Sequence, residues 1–310
     1  MIEVEHVRKS FNGTRALDDF SLRVTRGELV GLVGPNGAGK TTLIRILSTL
    51  LLPDSGTVRI DGTDVVTNPT SIRRVVGYLA DQSGLYQDMR VREFLEFFAD
   101  AFHLQGTGRK SAIENALVRA GLELRADDFV EGLSFGTRQR LMLAKTLLHC
   151  PSVLLLDEPA NGLDPIARVH LRDLLKKLNS QGLTILISSH ILADLEDICT
   201  HAVLISGGRN VVDEEGNTVI ALRHLASQPR LYEVELLGSA ENAAAALATM
   251  TGVQVLETAG TRLRLSIDGP DERIADTLRI LVTAGAAVTS FERRGSSLEQ
   301  RYRVVFGGKS

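Results

Sequence analysis

Gly34-Pro35-Asn36-Gly37-Ala38-Gly39-Lys40-Thr41-Thr42 is the stretch on which the reading of this chain turns. It fits the spacing G-x-x-x-x-G-K-[ST]. Its setting fits too, because the apolar run Leu29 to Val33 precedes it and a helical pattern carrying Ile44 and Leu47 follows. Strand, glycine-rich turn and helix together cradle phosphate. Gly34, Gly37 and Gly39 let the backbone curl until its N–H groups point inward, and the helix N-terminus adds partial positive charge. The whole stretch, with Pro35, Asn36, Ala38 and Thr42, is therefore assigned to nucleotide phosphates. Lys40 supplies a mobile point cation for the β- and γ-phosphates, and the Thr41 hydroxyl is placed to ligate Mg²⁺. A nucleotide and Mg²⁺ are the expected ligands, and the loop alone leaves many NTPase families open.

Outward from this loop, Leu29 to Val33, Val153 to Leu156 and Thr184 to Ile187 are short runs rich in Val, Ile and Leu without polar alternation. Strands covered on both faces read this way, which predicts a partly parallel sheet in an α/β domain. Helical patterns follow two of the runs, starting near Thr41 and near Ala193.

After about Ser227 the texture changes. Tyr232, Val234 and Leu236 alternate with Glu233 and Glu235, and Leu263, Leu265 and Ile267 alternate with Arg262 and Arg264. An alanine-rich helix over Ala240 to Met250 and a strand near Val253 to Leu256 fall between them. A helix with Ile274, Leu278 and Leu281 on one face and a strand around Val288 to Phe291 come after. The order β-α-β-β-α-β is that of a ferredoxin-like fold, in which the first and third strands are antiparallel neighbours. Glu233 and Glu235 then face Arg262 and Arg264. The expected domains are 1–227 and 228–310.

The chain has 310 residues, enough for two cores, and 44% hydrophobic with 24% charged residues is a globular composition. A net charge of −3 gives no global positive field, so no nucleic-acid partner is expected. The two cysteines, Cys150 and Cys199, have no second Cys or His at metal-ligand spacing and read as reduced thiols. MIEVEHVRKSF has no apolar run after its basic residues, so it does not read as a secretory signal. No apolar stretch approaches the ~20 residues that span a bilayer. Any work at a membrane is expected to go through a partner.

The remaining marks resemble, in order and spacing, those of the ABC (ATP-binding cassette) ATPases over about the first 215 residues. Val153-Leu154-Leu155-Leu156-Asp157-Glu158-Pro159 looks like the Walker B strand and its extension. The resemblance gives Asp157 to Mg²⁺ and makes Glu158 the general base toward the attacking water. Leu133-Ser134-Phe135-Gly136-Thr137 resembles the signature LSGGQ, with Phe135 for the first Gly and Thr137 for Gln. It keeps Ser134 and Gly136 at the start of a helix, a second anion-binding helix end. In the family this element meets the γ-phosphate bound on the other subunit. One phosphate loop and one signature per chain thus imply two cassettes face to face, a homodimer with two composite sites.

Ala160-Asn161-Gly162-Leu163-Asp164 is similar to the D-loop, and Ser188-Ser189-His190 matches the switch histidine that contacts the γ-phosphate. Phe11 matches the aromatic on which adenine stacks, although core packing explains it almost as well. The frame Gly77-Tyr78-Leu79-Ala80-Asp81-Gln82 puts Asp81 where the family glutamine falls and Gln82 one place later. A carboxylate at 81 is a candidate Mg²⁺ ligand, and both residues stay open for the role.

Phe94, Phe97, Phe98 and Phe102 form one helical stripe, either core or a docking surface for a membrane subunit. Ser297-Leu298-Glu299-Gln300 looks like the tail of drug- and lipid-type ABC-2 exporter ATPases. The resemblance implies a mixed-sheet cassette with a helical subdomain and a small C-terminal α+β domain. It would be the ATP-hydrolysing motor of an exporter, peripheral on the cytoplasmic face and driving separate polytopic permease subunits. The rival is a soluble, non-transport ABC ATPase. Ribosomal members resemble two cassettes in one chain, and DNA-repair members would carry a long coiled-coil insertion for which this chain has no room. A sensing or dimerising role for the C-terminal domain remains open beside transport.

Overall fold

A purely aliphatic strand needs cover on both faces, and the first unit of the chain provides it. The computed structural model describes residues 1–81, 84–191, 195, 198–211, 219–221, 230–248, 250–269 and 271–293. Strands β3 (Leu29–Val33), β7 (Val153–Asp157) and β8 (Thr184–Ser189) are buried at every residue. With β6 (Val76–Leu79), β9 (His201–Ser206) and β10 (Arg209–Asn210) they form a sheet in the order β10-β9-β3-β8-β7-β6. All neighbours in it are parallel except the β9–β10 pair. The strands predicted from the three apolar runs are present, two of them extended to Asp157 and Ser189. Those polar ends carry site residues.

A second sheet went unread in the sequence. Strands β1 (Ile2–Phe11), β2 (Thr14–Val24), β4 (Ser55–Ile60) and β5 (Thr63–Asp64) pair antiparallel in the order β2-β1-β4-β5. Its inner residues are Ile2, Val4 and Val7 facing Phe20, Leu22 and Val24. The register shifts between Val4 and Val7, where His6 takes a left-handed backbone (φ 52°). Such bulges break the period of two that marks a strand in a sequence. Helix α1 (Lys40–Leu47) shares one core with both sheets, through Leu43, Ile44 and Leu47 beside Phe20, Ile60, Leu32 and Leu155.

Among the described residues, helices α2 (Pro69–Val75), α3 (Val91–Ala101), α4 (Gly106–Ala120), α5 (Phe135–Leu147) and α6 (Pro165–Ser180) also belong to this unit. The phenylalanine stripe divides. Phe94 is fully buried in α3, Phe97 is 44% exposed, and Phe102 stands just past the helix end. The Tyr86 ring meets Phe97 edge-on at 5.4 Å, and Lys145 lies 4.5 Å over the Phe98 ring. No described helix is long and apolar enough to cross a membrane.

The chain divides into two compact units, Met1–Ile220 and Ala221–Ser310, within β11 (Val219–Ala221). The second unit holds β12 (Arg230–Leu236), α7 (Ala240–Leu247), β13 (Val253–Ala259), β14 (Arg262–Ile267), α8 (Asp271–Thr283) and β15 (Val288–Arg293). Its sheet order is β13-β14-β12-β15, antiparallel throughout. Glu233 lies opposite Arg264 and Glu235 opposite Arg262. Arg262 holds Glu235 at 2.9 Å, whereas Arg264 turns to Glu257 at 3.0 Å. The buried face of α8 also departs from its apolar pattern. Leu278 is 37% exposed and Thr277 fully buried, its Oγ1 donating to the Arg273 carbonyl at 2.7 Å. That bond satisfies the hydroxyl within the helix and lets Thr277 serve as a core residue. Ser227, Gln82, Ala193 and the tail Ser297–Gln300 lie outside the described residues.

Candidate active site

The phosphate loop is shaped by what it cannot accommodate. Gly37 and Gly39 are left-handed (φ 78° and 110°). A Cβ on Gly39 would collide with the Ala16 carbonyl, and one on Gly34 with the Ile205 carbonyl. Glycine is required at both, because backbone from β2 and from β9 closes on the turn. Lys40 opens α1 and is only 6% exposed, its Nζ donating to the carbonyls of Gly34 (2.7 Å) and Pro35 (3.1 Å).

The parallel strands deliver the acids. Asp157 ends β7 nearly inaccessible, and its Oδ1 accepts from Ser188 Oγ (2.8 Å) and Thr41 Oγ1 (3.2 Å). Burial pushes its carboxyl above the ordinary carboxylate range. The Ser188 and Thr41 hydrogen bonds oppose that shift, and the charges of Glu158 and Asp81 add to it. Ser188, at the end of β8, also accepts from the Glu158 N–H at 2.9 Å. This bond helps hold Glu158 at φ 48°, a left-handed conformation uncommon for a long side chain and found where function demands it. Glu158 thereby presents both oxygens: Oε1 lies 3.3 Å from Lys40 Nζ and Oε2 2.8 Å from His190 Nδ1, with the His190 N–H on Oε2 at 3.3 Å.

Asn36 to Thr42 line one cavity with Ala16, Asp81, Glu158, Asn161 and His190. Asp81 accepts from Asn161 Nδ2 at 3.2 Å, tying the segment after β6 to the turn after β7. The arrangement can bind an anion on backbone N–H groups and a lysine, hold a hard cation between Thr41 and Asp157, and take a proton at Glu158.

Ser134, Gly136 and Asp164 are not in that cavity. They line a second one with Thr137, Gln139, Arg140 and Leu163. Ser134 caps α5, accepting from Thr137 N at 3.3 Å, and Asp164 caps α6, accepting from Ala167 N at 2.9 Å. Phe11 stands 46% exposed at the β1–β2 hairpin, outside the phosphate cavity, which that hairpin's β2 reaches through Ala16.

The model of the family described as ABC transporter matches residues 17–161. The chain is 33% identical over 306 residues to the daunorubicin resistance ATP-binding protein DrrA3 of Streptomyces coeruleorubidus, across 99% of this chain and 96% of that one. The chain belongs to the ABC transporter family. It is also 37% identical over 220 residues to the Nod factor export ATP-binding protein I of Paraburkholderia xenovorans, covering 71% of this chain and 72% of the relative. Among solved structures it resembles the dimeric, post-hydrolysis state of the ATP-binding cassette MJ0796 bound to ADP and Pi. There the TM-score is 0.62 and the identity 26%, over 72% of this chain and 99% of that one.

As an ABC ATPase the chain carries departures whose setting is now visible. Phe135, in place of a signature glycine, is 57% exposed, and a Cβ on left-handed Gly162 would lie 3.3 Å from its ring. Gly136 could not be replaced in the same way, since its Cβ would come 2.7 Å from that of Ala167. Sequence reasoning placed Ser188 and Asn161 inside motif stretches but gave neither a role of its own. Ser188 had a signal: a hydroxyl ending a buried aliphatic strand must find a partner. The contact of Asn161 with Asp81 had none, since only the fold brings the two together.

Proposed function

We propose that this chain is the ATP-binding and ATP-hydrolysing subunit of a membrane exporter. Two copies close over two nucleotides on the cytoplasmic face and drive separate transmembrane subunits. The observation that carries the chemistry is Glu158 held between Lys40 and His190 at the mouth of the phosphate loop. The export role rests on likeness to relatives named for drug resistance and Nod factor export.

Asn36 to Thr42 take the phosphates through backbone N–H groups and the dipole of α1. Lys40, whose other partners are neutral carbonyls, turns to the β- and γ-phosphate oxygens. Thr41 and Asp157 fit Mg²⁺: both offer hard oxygen, they lie 3.2 Å apart, and a buried carboxylate favours a cation beside it. Once bound, the ion neutralises charge on the phosphates. Asp81, in the same cavity, is proposed as a further oxygen ligand. Glu158 accepts the proton of the attacking water, a contribution of about 10²–10⁴ in rate. His190, as its Nδ1–H tautomer, orients the Glu158 carboxylate and then meets the γ-phosphate. Ser134, Gly136 and Asp164 act toward the nucleotide on the facing cassette, and Phe11 offers its exposed ring to adenine.

The test is a mild-detergent pull-down of tagged Glu158→Gln chain from its own cells with ATP present. A stoichiometric polytopic membrane protein is the expected companion. Ribosomal partners, or dimers without any membrane protein, would keep the ATPase and overturn the exporter.

A further inference from the structure

The signature turn of this chain carries a hydroxyl where the pattern LSGGQ has an amide, and that hydroxyl is engaged. Thr137 Oγ1 lies 2.9 Å from Ser134 Oγ. The Thr137 N–H donates to the same serine oxygen at 3.3 Å. Arg140 Nη2 donates to Thr137 Oγ1 at 3.4 Å, while its Nη1 donates to the Gly121 carbonyl at the end of α4 (3.1 Å). These side chains share the second cavity with Asp164.

A guanidinium can only donate, and a hydroxyl has one hydrogen and two lone pairs. Thr137 Oγ1 therefore accepts from Arg140, and its own hydrogen is available for Ser134. With Thr137 as donor, Ser134 Oγ accepts twice, from the Thr137 N–H and O–H, and its own hydrogen is left pointing away from the helix. With Ser134 as donor, its hydrogen is consumed and an approaching anion would meet a lone pair. An anion in front of Ser134 selects the first arrangement. A glutamine at 137 has no hydroxyl with which to make this choice.

We propose that Thr137 and Arg140 are positioning residues for Ser134. Arg140 donates to Thr137, Thr137 donates to Ser134, and the freed Ser134 O–H donates to a γ-phosphate oxygen of the nucleotide on the facing cassette. The proposal rests on the two-cassette reading above, and its test separates the two.

In the Glu158→Gln background, ATP-driven dimerisation is measured by analytical ultracentrifugation, and nucleotide affinity of the single chain by fluorescent-ATP titration at low protein concentration. Thr137→Val keeps shape and backbone N–H but loses the hydroxyl. The expected result is dimerisation weakened about a hundredfold, the scale of two hydrogen bonds to charged groups, one at each composite site. Single-chain affinity and Tm stay unchanged, and Thr137→Ser restores dimerisation. If the Glu158→Gln parent does not dimerise on ATP, the two-cassette reading fails and takes the proposal with it. If the parent dimerises and Ser134→Ala dimerises equally well, Ser134 makes no such bond and the proposal alone is overturned. If Ser134→Ala is impaired while Thr137→Val is not, the proposal alone is overturned. It is overturned as well if Thr137→Ser is as weak as Thr137→Val, or if single-chain affinity and Tm fall along with dimerisation.

Discussion

Ser188→Ala removes a single oxygen from the first unit and should cost far more than its size suggests. Ser188 Oγ is buried, donates to Asp157 Oδ1 at 2.8 Å and receives the Glu158 N–H at 2.9 Å. The alanine leaves a carboxylate oxygen and a backbone N–H short of partners in a place water reaches poorly. At about 1–3 kcal/mol for each of these two groups, the expected loss is about 2–6 kcal/mol. For a unit of this size, that lowers the melting temperature by roughly 4–24 °C. The loss should also depend on pH. Asp157 sits above the ordinary carboxylate range because of burial, and the Ser188 bond is the largest influence pulling it back. An acid whose folded pKa is raised takes up a proton on folding, so its burial penalty is absent below the unfolded pKa. The penalty grows as pH rises toward the folded value and is full above it. Removing Ser188 enlarges the penalty, so the deficit should be greatest near pH 8 and narrow on acidification. Calorimetry of the parent and Ser188→Ala from pH 8 downward reads both quantities. A Tm within about 1 °C of the parent at pH 8, or a deficit that widens in acid, would refute this account of the strand end.

Three further outcomes follow from the same site and its supports. Glu158→Gln should bind ATP at near-parent affinity in a fluorescence titration and hydrolyse it slower by about 10²–10⁴ in a phosphate-release assay; rapid steady turnover would remove Glu158 from the base role. Gly39→Ala forces a Cβ into the Ala16 carbonyl at φ 110° and should destabilise the first unit by more than about 2 kcal/mol, read by denaturant melting. Arg209→Met tests the acid limb. The Arg209 hydrogen bond is the main cause of the lowered pKa of Asp18, so the pair stabilises above the ordinary carboxylate pKa and is lost as pH falls through the lower folded value. The variant should melt below its parent at pH 7 and converge with it in acid, and a gap that stays constant with pH would count against the pairing.

Much of this could be read in advance where chemistry is local in sequence. Gly34 to Thr42 declares a phosphate cradle because glycine spacing and backbone curl are one property. The buried parallel strands declare themselves because cover on both faces removes polar alternation. The antiparallel layer was hidden by its bulges: the left-handed His6 puts Val4 and Val7 on one face three residues apart, and no period survives that. In the helix over Asp271–Thr283 the apolar pattern points to Leu278, whereas the structure buries Thr277, whose hydroxyl is satisfied within the helix. The contact of Asn161 with Asp81 depends on which chain segments meet, and spacing alone carries no trace of that. Arg264 illustrates the same limit within the second unit, since it prefers Glu257 on the neighbouring strand to the Glu233 opposite it.

The walls of the phosphate loop also bear on how the protein comes into being. One wall, the Ala16 carbonyl, is made before the loop; the other, the Ile205 carbonyl beside Gly34, comes only when nearly all of the first unit has been synthesised. At about 5–20 residues per second a ribosome needs roughly 10–30 s to cover that interval. Throughout it the growing chain displays a complete glycine-lysine motif with one side of its turn unsupported, and β3 lacks β8 for most of the interval and β9 until its end. Such long-range pairing is the slow part of folding a parallel sheet. Capture of ATP by the nascent chain would therefore mark the arrival of β9, and the nucleotide would favour the finished sheet over any shorter, half-built one.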